Sequence, residues 1–458
     1  MIFAATICLE ELFSDYNEVG SLPNLISLDA TIVLLRLEGN VSISSISEVL
    51  NTQGYKNDST GMISERLKKF GSRLPSTLNL GKEISLFYLS DEIYAAGMPI
   101  LVTIDPVSTA ILKIELSNNC QANTWKTHFQ SLETEGFIAK GLASDRGIGI
   151  VNGYQAAHQD LVWCSDHFHE FRGLIRLLKS FENKAYNAIE KEHDRLQVFN
   201  NARSELNLTK RDQQFEVAKA DCEQKMHQYQ HIQDVLDMLF PALYFFDLKT
   251  GEHRQQANVK AEILLLMEFL DELKIEKIQI EIKSIRDHID DICICYQQVE
   301  AIYKQLSEKI LPEILNFIGL AWQHDHQSHQ RKGKLKQYHR AERDFWLDAV
   351  KSLLEDENDK NTEENTERLI IQAFDEFNGM VRTSSLIEMV NSQIRPFINE
   401  CKGQISQEHL NLIMFYHNHR RYKSGKRKNK APIELLTKNK LEKCWLELLF
   451  EAVSEKPL

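Results

Sequence analysis

Three carboxylates stand where metal-assisted chemistry would want them. Asp91 follows the apolar run Ile84-Ser85-Leu86-Phe87-Tyr88-Leu89-Ser90, and Asp145 follows Gly141-Leu142-Ala143-Ser144. Glu388 lies inside Arg382-Thr383-Ser384-Ser385-Leu386-Ile387-Glu388-Met389-Val390-Asn391. The first two runs predict strands and the third a helix. Carboxylates at strand ends and on a docked helix can converge on two divalent ions roughly 3.5–4 Å apart. Hard oxygen donors select Mg²⁺, with Mn²⁺ as the alternative, over Zn²⁺. Each assignment has a rival. Asp105 competes with Asp91 for the first position, although Asp105-Pro106 is an ordinary turn opener. Ser385-Leu386-Ile387-Glu388 also fits a capping box, in which the Glu only satisfies a helix start. Against that, Glu388, Asn391 and Arg395 share one helix face at i, i+3 and i+7, opposite Leu386, Met389 and Val390.

The elements that must position these groups fall into four regions. The first reads as three short helices: Leu28 to Leu37, stopped by Gly39-Asn40; Ser42 to Leu50, closed by Gly54; and a third capped by Asp58 or Ser59. This is a helix-turn-helix pattern, and its third helix and tail carry Lys56, Arg66, Lys68, Lys69 and Arg73 against Asp58 and Glu65, a local excess of +3. In the second region the period changes to strands at Ile84 to Leu89, Ile100 to Ile104, Ala110 to Leu116, Ile138 to Ala143 and Asp160 to Trp163. A helix from Thr124 to Leu132 separates the third strand from the fourth. Three meandering strands followed by an αβ alternation match an RNase H-like α/β domain.

The third region is almost all helix. From Ile278 through Ile282, Ile285, Ile289, Ile292, Tyr296, Val299, Tyr303, Leu306 and Ile310 the apolar steps alternate between 3 and 4. Five such heptads predict one coiled-coil-like helix of about 50 Å. Its seam could pack on Leu174, Leu178, Phe181, Ile189 and Leu196 of the same chain or on a second copy. An acidic loop, Glu355 to Glu367, closes the region with seven carboxylates against one lysine. The fourth region reverses the sign. Met380 to Ala431 holds ten Lys or Arg and three Glu, a net of +7, so the overall −12 of the 458 residues averages unlike parts. Arg420, Arg421, Lys423, Lys426, Arg427 and Lys428, interleaved with Tyr416, His417, His419 and Tyr422, suggest a phosphate-binding surface.

Other signals narrow the class. No run of 18 apolar residues exists, and Met1 to Phe13, with Glu10 and Glu11 and no basic start, reads as part of a folded helix. The eight scattered cysteines form no CxxC pair, which fits a reducing cytoplasmic compartment. In Cys164-Ser165-Asp166-His167-Phe168-His169 two pairs overlap, Cys164 with His167 and Asp166 with His169. Zinc there lacks a fourth ligand, and His324, His326 and His329 read as a solvated helix end.

Taken in order, the motifs resemble those of the DDE transposases of bacterial insertion sequences, in particular those with a helical insertion between the second Asp and the Glu. The resemblance rests on Ser90-Asp91-Glu92-Ile93, Asp105-Pro106-Val107-Ser108 and Ser144-Asp145-Arg146-Gly147-Ile148-Gly149. It continues with Arg382 through Ser392 and the tail from Asn418 through Leu436. It implies catalytic, metal-holding acids at Asp91, Asp145 and Glu388, and cleavage and joining of DNA. It also implies DNA contacts from Arg66, Lys68, Lys69, Arg73, Arg382, Asn391, Arg395 and the basic tail, with Asp166 and His169 orienting the backbone or a base. The expected fold is α/β plus all-α: a helix-turn-helix at 1–80, an RNase H-like core at 81–178 and 379–458, and a helical insertion at 179–378. The expected partners are double-stranded DNA ends and target DNA, bound by a homodimer near the nucleoid and away from membranes. The competing expectations are an inactive DNA-binding regulator and a helical structural protein.

Overall fold

Serine side chains start each of the first helices. Ser27, Ser42 and Ser59 accept hydrogen bonds from the amides of Ala30, Ser45 and Met62, opening α1 (Leu28–Leu37), α2 (Ile43–Thr52) and α3 (Thr60–Gly71). Gly54 takes the left-handed conformation, φ +84°, that ends α2. The computed structural model describes residues 27–55, 59–201, 205–354, 362–381, 385–401 and 404–454. The N-terminal apolar stretch, Lys56, Asp58 and Arg382 lie outside them. The chain divides into two compact units, Met1–Trp163 with Thr383–Leu458, and Cys164–Arg382.

In the first unit the strands are β1 (Ile84–Ala95), β2 (Met98–Ile104) and β3 (Ile111–Leu116). Then come α4 (Ala122–Thr134), β4 (Phe137–Ser144), α5 (Ile148–Ala157) and β5 (Val162–Ser165). They form a mixed sheet in the order β3-β2-β1-β4-β5, with β1 antiparallel to β2 and parallel to β4. Two departures from the sequence pattern matter for the site. β1 runs six residues past Leu89, because its hairpin with β2 pairs Asp91 with Val102 and Ala95 with Met98. Asp91 therefore sits inside a strand rather than beyond its end. Helix α5 is not legible in the sequence, because Gly149 and Gly153 weaken its helical signal. A Cβ at either would overlap the Cys120 carbonyl or Trp125, so the glycines let α5 lie close against α4. The core between sheet and helices gathers Leu86, Tyr88, Trp125, Phe129, Phe137, Leu142 and Tyr154.

The second unit opens with two long helices, α6 (His167–Asn200) and α7 (Glu205–Ala242). At 34 and 38 residues they span about 50 and 57 Å. They run antiparallel as a helical hairpin, with Phe199 stacked on Phe215 and Arg195 donating to Gln214. After α8 (Gln256–Asp271) the expected single coiled-coil helix is instead three pieces: α9 (Glu276–Asp287), α10 (Ile289–Cys293) and α11 (Tyr296–Ser307). The heptad stripe is buried nearly throughout, from Ile278 to Ile310, yet its segments face different neighbours. α9 packs on α6 and α8, and α10 on α8. α11 packs on α12 (Pro312–Gln330) and α14 (Thr362–Asn378), with α13 (Gly333–Leu354) between them in the chain. A straight rod could not follow that path, and non-helical backbone at His288 (φ −117°, ψ 12°) bends it. α14 also begins inside the expected acidic loop, whose residues 355–361 lie outside the described set.

The chain then returns to the first unit through α15 (Ser385–Glu400), α16 (Gln407–His419), α17 (Pro432–Thr437) and α18 (Trp445–Ser454). α16 is the clamp. Its Gln407 and Asn418 exchange hydrogen bonds with the backbone of Leu116, Ile114 and Ile111, satisfying part of the edge of β3. α16 also docks on α3, where Gly71 is needed because a Cβ would overlap the Glu408 carbonyl. Among the described residues no helix is long and apolar enough to cross a membrane.

Candidate active site

Side chains alternate across a strand, so Asp91 and Glu92 leave β1 on opposite faces. The even face carries Leu86 and Tyr88 into the core under α4 and α5. On the odd face Asp91 Oδ2 accepts a 2.7 Å hydrogen bond from Asn391 Nδ2 of α15. Asp91 Oδ1 accepts from the Glu92 amide at 2.9 Å. Asp145 follows the end of β4. Leu89 pairs with Ala143, the last pair of the β1–β4 register, and Asp91 and Asp145 each lie two residues beyond it in the chain. The Gly147 amide, 3.0 Å from Asp145 Oδ1, fixes that carboxylate.

Glu92 is the group the sequence reading missed. Burial, then the charges of Asp145 and Asp91, push its pKa up to about 7. Its Oε2 is buried and has no hydrogen-bond partner. The available signal was its place beside Asp91, on the face shared with Tyr88 and Ser90. Asn391, expected on a polar face, is instead fully buried with Ile387, Val390 and Ile394. Its amide is tolerated there because the Asp91 carboxylate accepts from it. Glu388, one turn earlier, pairs with Arg395 at 3.2 Å. The structure thus joins Asn391 to Asp91, leaves Glu92 within reach of the charges of Asp145 and Asp91, and places Glu388 on Arg395. Among the described residues no three Asp, Glu, His or Cys side chains form a ready metal-ligand set. The donor chemistry still fits a hard divalent cation: the oxygens are carboxylate, they repel one another, and one is buried without a partner.

Asp105 has a different task. It is buried, and it accepts from the Ser108 hydroxyl and amide at 2.5 and 2.8 Å, closing the β2–β3 turn. Burial raises its pKa. This is the turn-forming role its Asp-Pro context indicated.

Much of the basic tail is engaged inside the unit. Arg420 and Lys423 pair with Glu38 at 3.0 and 2.9 Å, and Tyr416 donates to the same carboxylate at 2.6 Å. Burial opposes ionisation of Glu38, but these partners prevail and lower its pKa. Arg421 holds Glu434 at 2.7 Å and donates to the Leu441 carbonyl. Arg427 donates to the carbonyl of Val107 at 2.9 Å in the Asp105 turn. Lys426 and Lys428 are exposed. On α3, Arg66 pairs with Asp29 at 2.5 Å, Lys68 reaches Glu65 at 3.5 Å and Lys69 is exposed, while Arg73, just past its end, donates to the Val453 carbonyl.

In the second unit, Asp166 caps α6 by accepting from Phe168 N, and His169 Nδ1 donates to its other oxygen at 2.5 Å. Of the two overlapping pairs this is the one joined. His167 donates instead to the Ile292 carbonyl at 2.7 Å. Cys164 meets Gln298, and burial pushes its thiol up to about 12. His324 is not at a solvated end; it is buried, with its Nδ1 3.0 Å from His339 Nδ1, because α12 is covered by α13.

No protein-family model matches the chain, and no curated protein matches it.

Proposed function

We propose that this protein is a DNA transposase of the DDE type, which cleaves DNA ends and joins them to target DNA. The observation that carries the reading is the hydrogen bond from Asn391 to Asp91, by which two motifs 300 residues apart meet. The strand order β3-β2-β1-β4-β5, with β2 antiparallel to its neighbours, supports an RNase H-like core. The trio α1–α3 is proposed as a helix-turn-helix that reads DNA ends, and the exposed Lys69, Lys426 and Lys428 as phosphate contacts. Two ends must be joined, so a homodimer on DNA is part of the proposal.

Asp91, Asp145 and Glu388 would hold Mg²⁺ or Mn²⁺. The chemistry such ions supply when bound is activation of the attacking oxygen and stabilisation of the leaving one. The chain's own residues prepare for this. Asn391 fixes the rotamer of Asp91, and the Gly147 amide fixes Asp145. Glu92, with a pKa near 7, retains a proton part of the time at neutral pH and so eases the repulsion among the carboxylates. Glu388, paired with Arg395 at 3.2 Å, would have to give up that contact to act as a ligand.

The test is nicking of supercoiled DNA by the purified chain with Mg²⁺, beside Asp145→Asn. Metal-dependent nicking lost in the variant supports the reading. Undiminished nicking removes Asp145 from the site, and salt-sensitive DNA binding without nicking in the wild type favours a regulator.

A further inference from the structure

The histidines of α12 have no part in the carboxylate chemistry, and two residues beyond its end the chain turns back as α13. Phe317 stacks on Trp346 with ring centroids 5.1 Å apart, and Arg343 pairs with Asp325 at 2.9 Å. These contacts set the antiparallel register of the two helices, which puts His324 opposite His339, Nδ1 to Nδ1 at 3.0 Å. His324 is 3% exposed, while His339 is half-buried. Glu342 lies one turn beyond His339 on the same helix face and, in this register, level with His324. It is half-buried, and among the described residues it makes no hydrogen bond or ion pair. The other two histidines are placed elsewhere: His326 stacks on Trp322, and His329 lies 3.5 Å from Asp325.

The two facing rings can share one hydrogen bond, with one Nδ1 carrying hydrogen and the other accepting. Both rings are ready to ligate. Burial and the neighbouring ring push the pKa of His324 down to about 4, and burial, then the charge of Arg331, lower that of His339 against the opposing charge of Glu342. Neutral imidazole is the form that binds metals. Zn–N bonds of about 2.0–2.1 Å at a tetrahedral angle set two nitrogens about 3.3–3.4 Å apart. Opening the pair by roughly 0.3–0.4 Å, with the shared hydrogen moved to Nε2, therefore makes a chelate. Glu342 has to turn toward the rings to add a third donor, in keeping with the lack of any ready three-residue set among the described residues. Two imidazoles and a carboxylate suit Zn²⁺ and leave a fourth position to water. The same set suits Mg²⁺ poorly, since that ion takes oxygen donors. Arg343 is already neutralised by Asp325 and Asp344.

We infer that the α12–α13 hairpin is a transition-metal site, in which His324, His339 and Glu342 hold one Zn²⁺ that staples the two helices together. The inference is independent of the transposase reading, and it gives the helical unit a metal of a different class from that proposed for Asp91 and Asp145.

The experiment uses the full chain, stripped of metal and then held in excess Mg²⁺ so that oxygen-donor sites are filled. Zn²⁺ affinity is read by competition with a chromophoric chelator, and the ligand set by the visible absorption of Co²⁺ in its place. Wild type is expected to take up one Zn²⁺ per chain and, on doing so, to slow amide hydrogen exchange in α12 and α13. His339→Ala and Glu342→Gln should each weaken binding by more than about tenfold, since the loss of a residue that only supports a ligand already costs that much. Replacing His326 and His329 together by Ala should leave the affinity unchanged. Circular dichroism checks that each variant keeps its helices; Glu342→Gln, equal in size and half-buried, decides the matter if His339→Ala does not fold. Uptake undiminished in either ligand variant overturns the site. So does an equal loss in the His326 and His329 double variant, which would mark a loose histidine cluster, and so does wild type that takes up no stoichiometric Zn²⁺.

Discussion

The carboxylate cluster and the basic tail treat charge in opposite ways. The tail surrounds two carboxylates with donors: Tyr416, Arg420 and Lys423 around Glu38 at the end of α1, and Arg421 with the amides of Ala431 and Leu441 around Glu434. Partners outweigh burial, and both carboxyls are held below their ordinary pKa. Around Glu92 burial prevails and the neighbouring charges share its sign, so its pKa rises. Charge that is neutralised internally pins elements together. Charge left uncompensated costs stability, and such a cost points to a ligand. A count of Lys and Arg in the tail therefore overstates what is available to any anionic partner, because Arg420, Arg421 and Arg427 already serve the fold.

The contrast can be broken in four places. The largest effect is expected from Asp145→Asn: Mg²⁺-dependent nicking should fall on the order of 10²–10³-fold with no loss of thermal stability. A fall in melting temperature as large as that of a tail variant would place Asp145 among the structural charges. Next is Arg421→Ala, which leaves Glu434 buried with only amide donors. Urea denaturation should show a loss of about 2–3 kcal/mol. If stability is unchanged, the tail pairs are ornamental and the comparison fails.

Third is the pH dependence of Glu92. Its pKa rises from 4.5 to about 7 on folding, so the folded state binds the proton more tightly and the chain loses stability as pH climbs through that window. Glu92→Gln should match wild type near pH 4 and exceed it by roughly 1–2 kcal/mol at pH 8 after allowance for solvent screening. Excess Mg²⁺ should narrow the gap. Parallel stability curves for the two proteins from pH 4 to 8 would remove the repulsion from the account. The smallest effect belongs to Lys428→Ala: stability within about 0.5 kcal/mol of wild type, and a log–log salt slope of DNA binding shallower by about 1. An unchanged slope would take Lys428 out of the DNA contacts.

Local chemistry was readable from sequence and distant partnership was not. Ser42 capped its helix as its type required, and Gly54 closed it. The Asp-Pro turn at Asp105 was also local. The strands were found in place, but β1's extension depended on β2, since Ser90-Asp91-Glu92 has no strand propensity of its own. Asn391 was assigned to a polar face because nothing near it in the chain reveals that Asp91 will accept its amide. The isoleucine stripe from Ile278 was periodic as expected, but the helices that cover it turn, and it turns with them. Among the site residues, Asp91 and Asp145 could be chosen by their place after apolar runs. Glu92 stands beside Asp91 in the sequence, but its burial and its unpartnered Oε2 are set only by the folded sheet.

The Asn391–Asp91 bond also carries a schedule. At roughly 5–20 residues per second, a ribosome needs about 15–60 s to make the 300 residues between them. Throughout that interval β1 and β4 can already pair, while Asp91 waits for the amide that orients it. A chain still being synthesised, or one cut short anywhere before Asn391, thus lacks the amide that orients Asp91 in the proposed site.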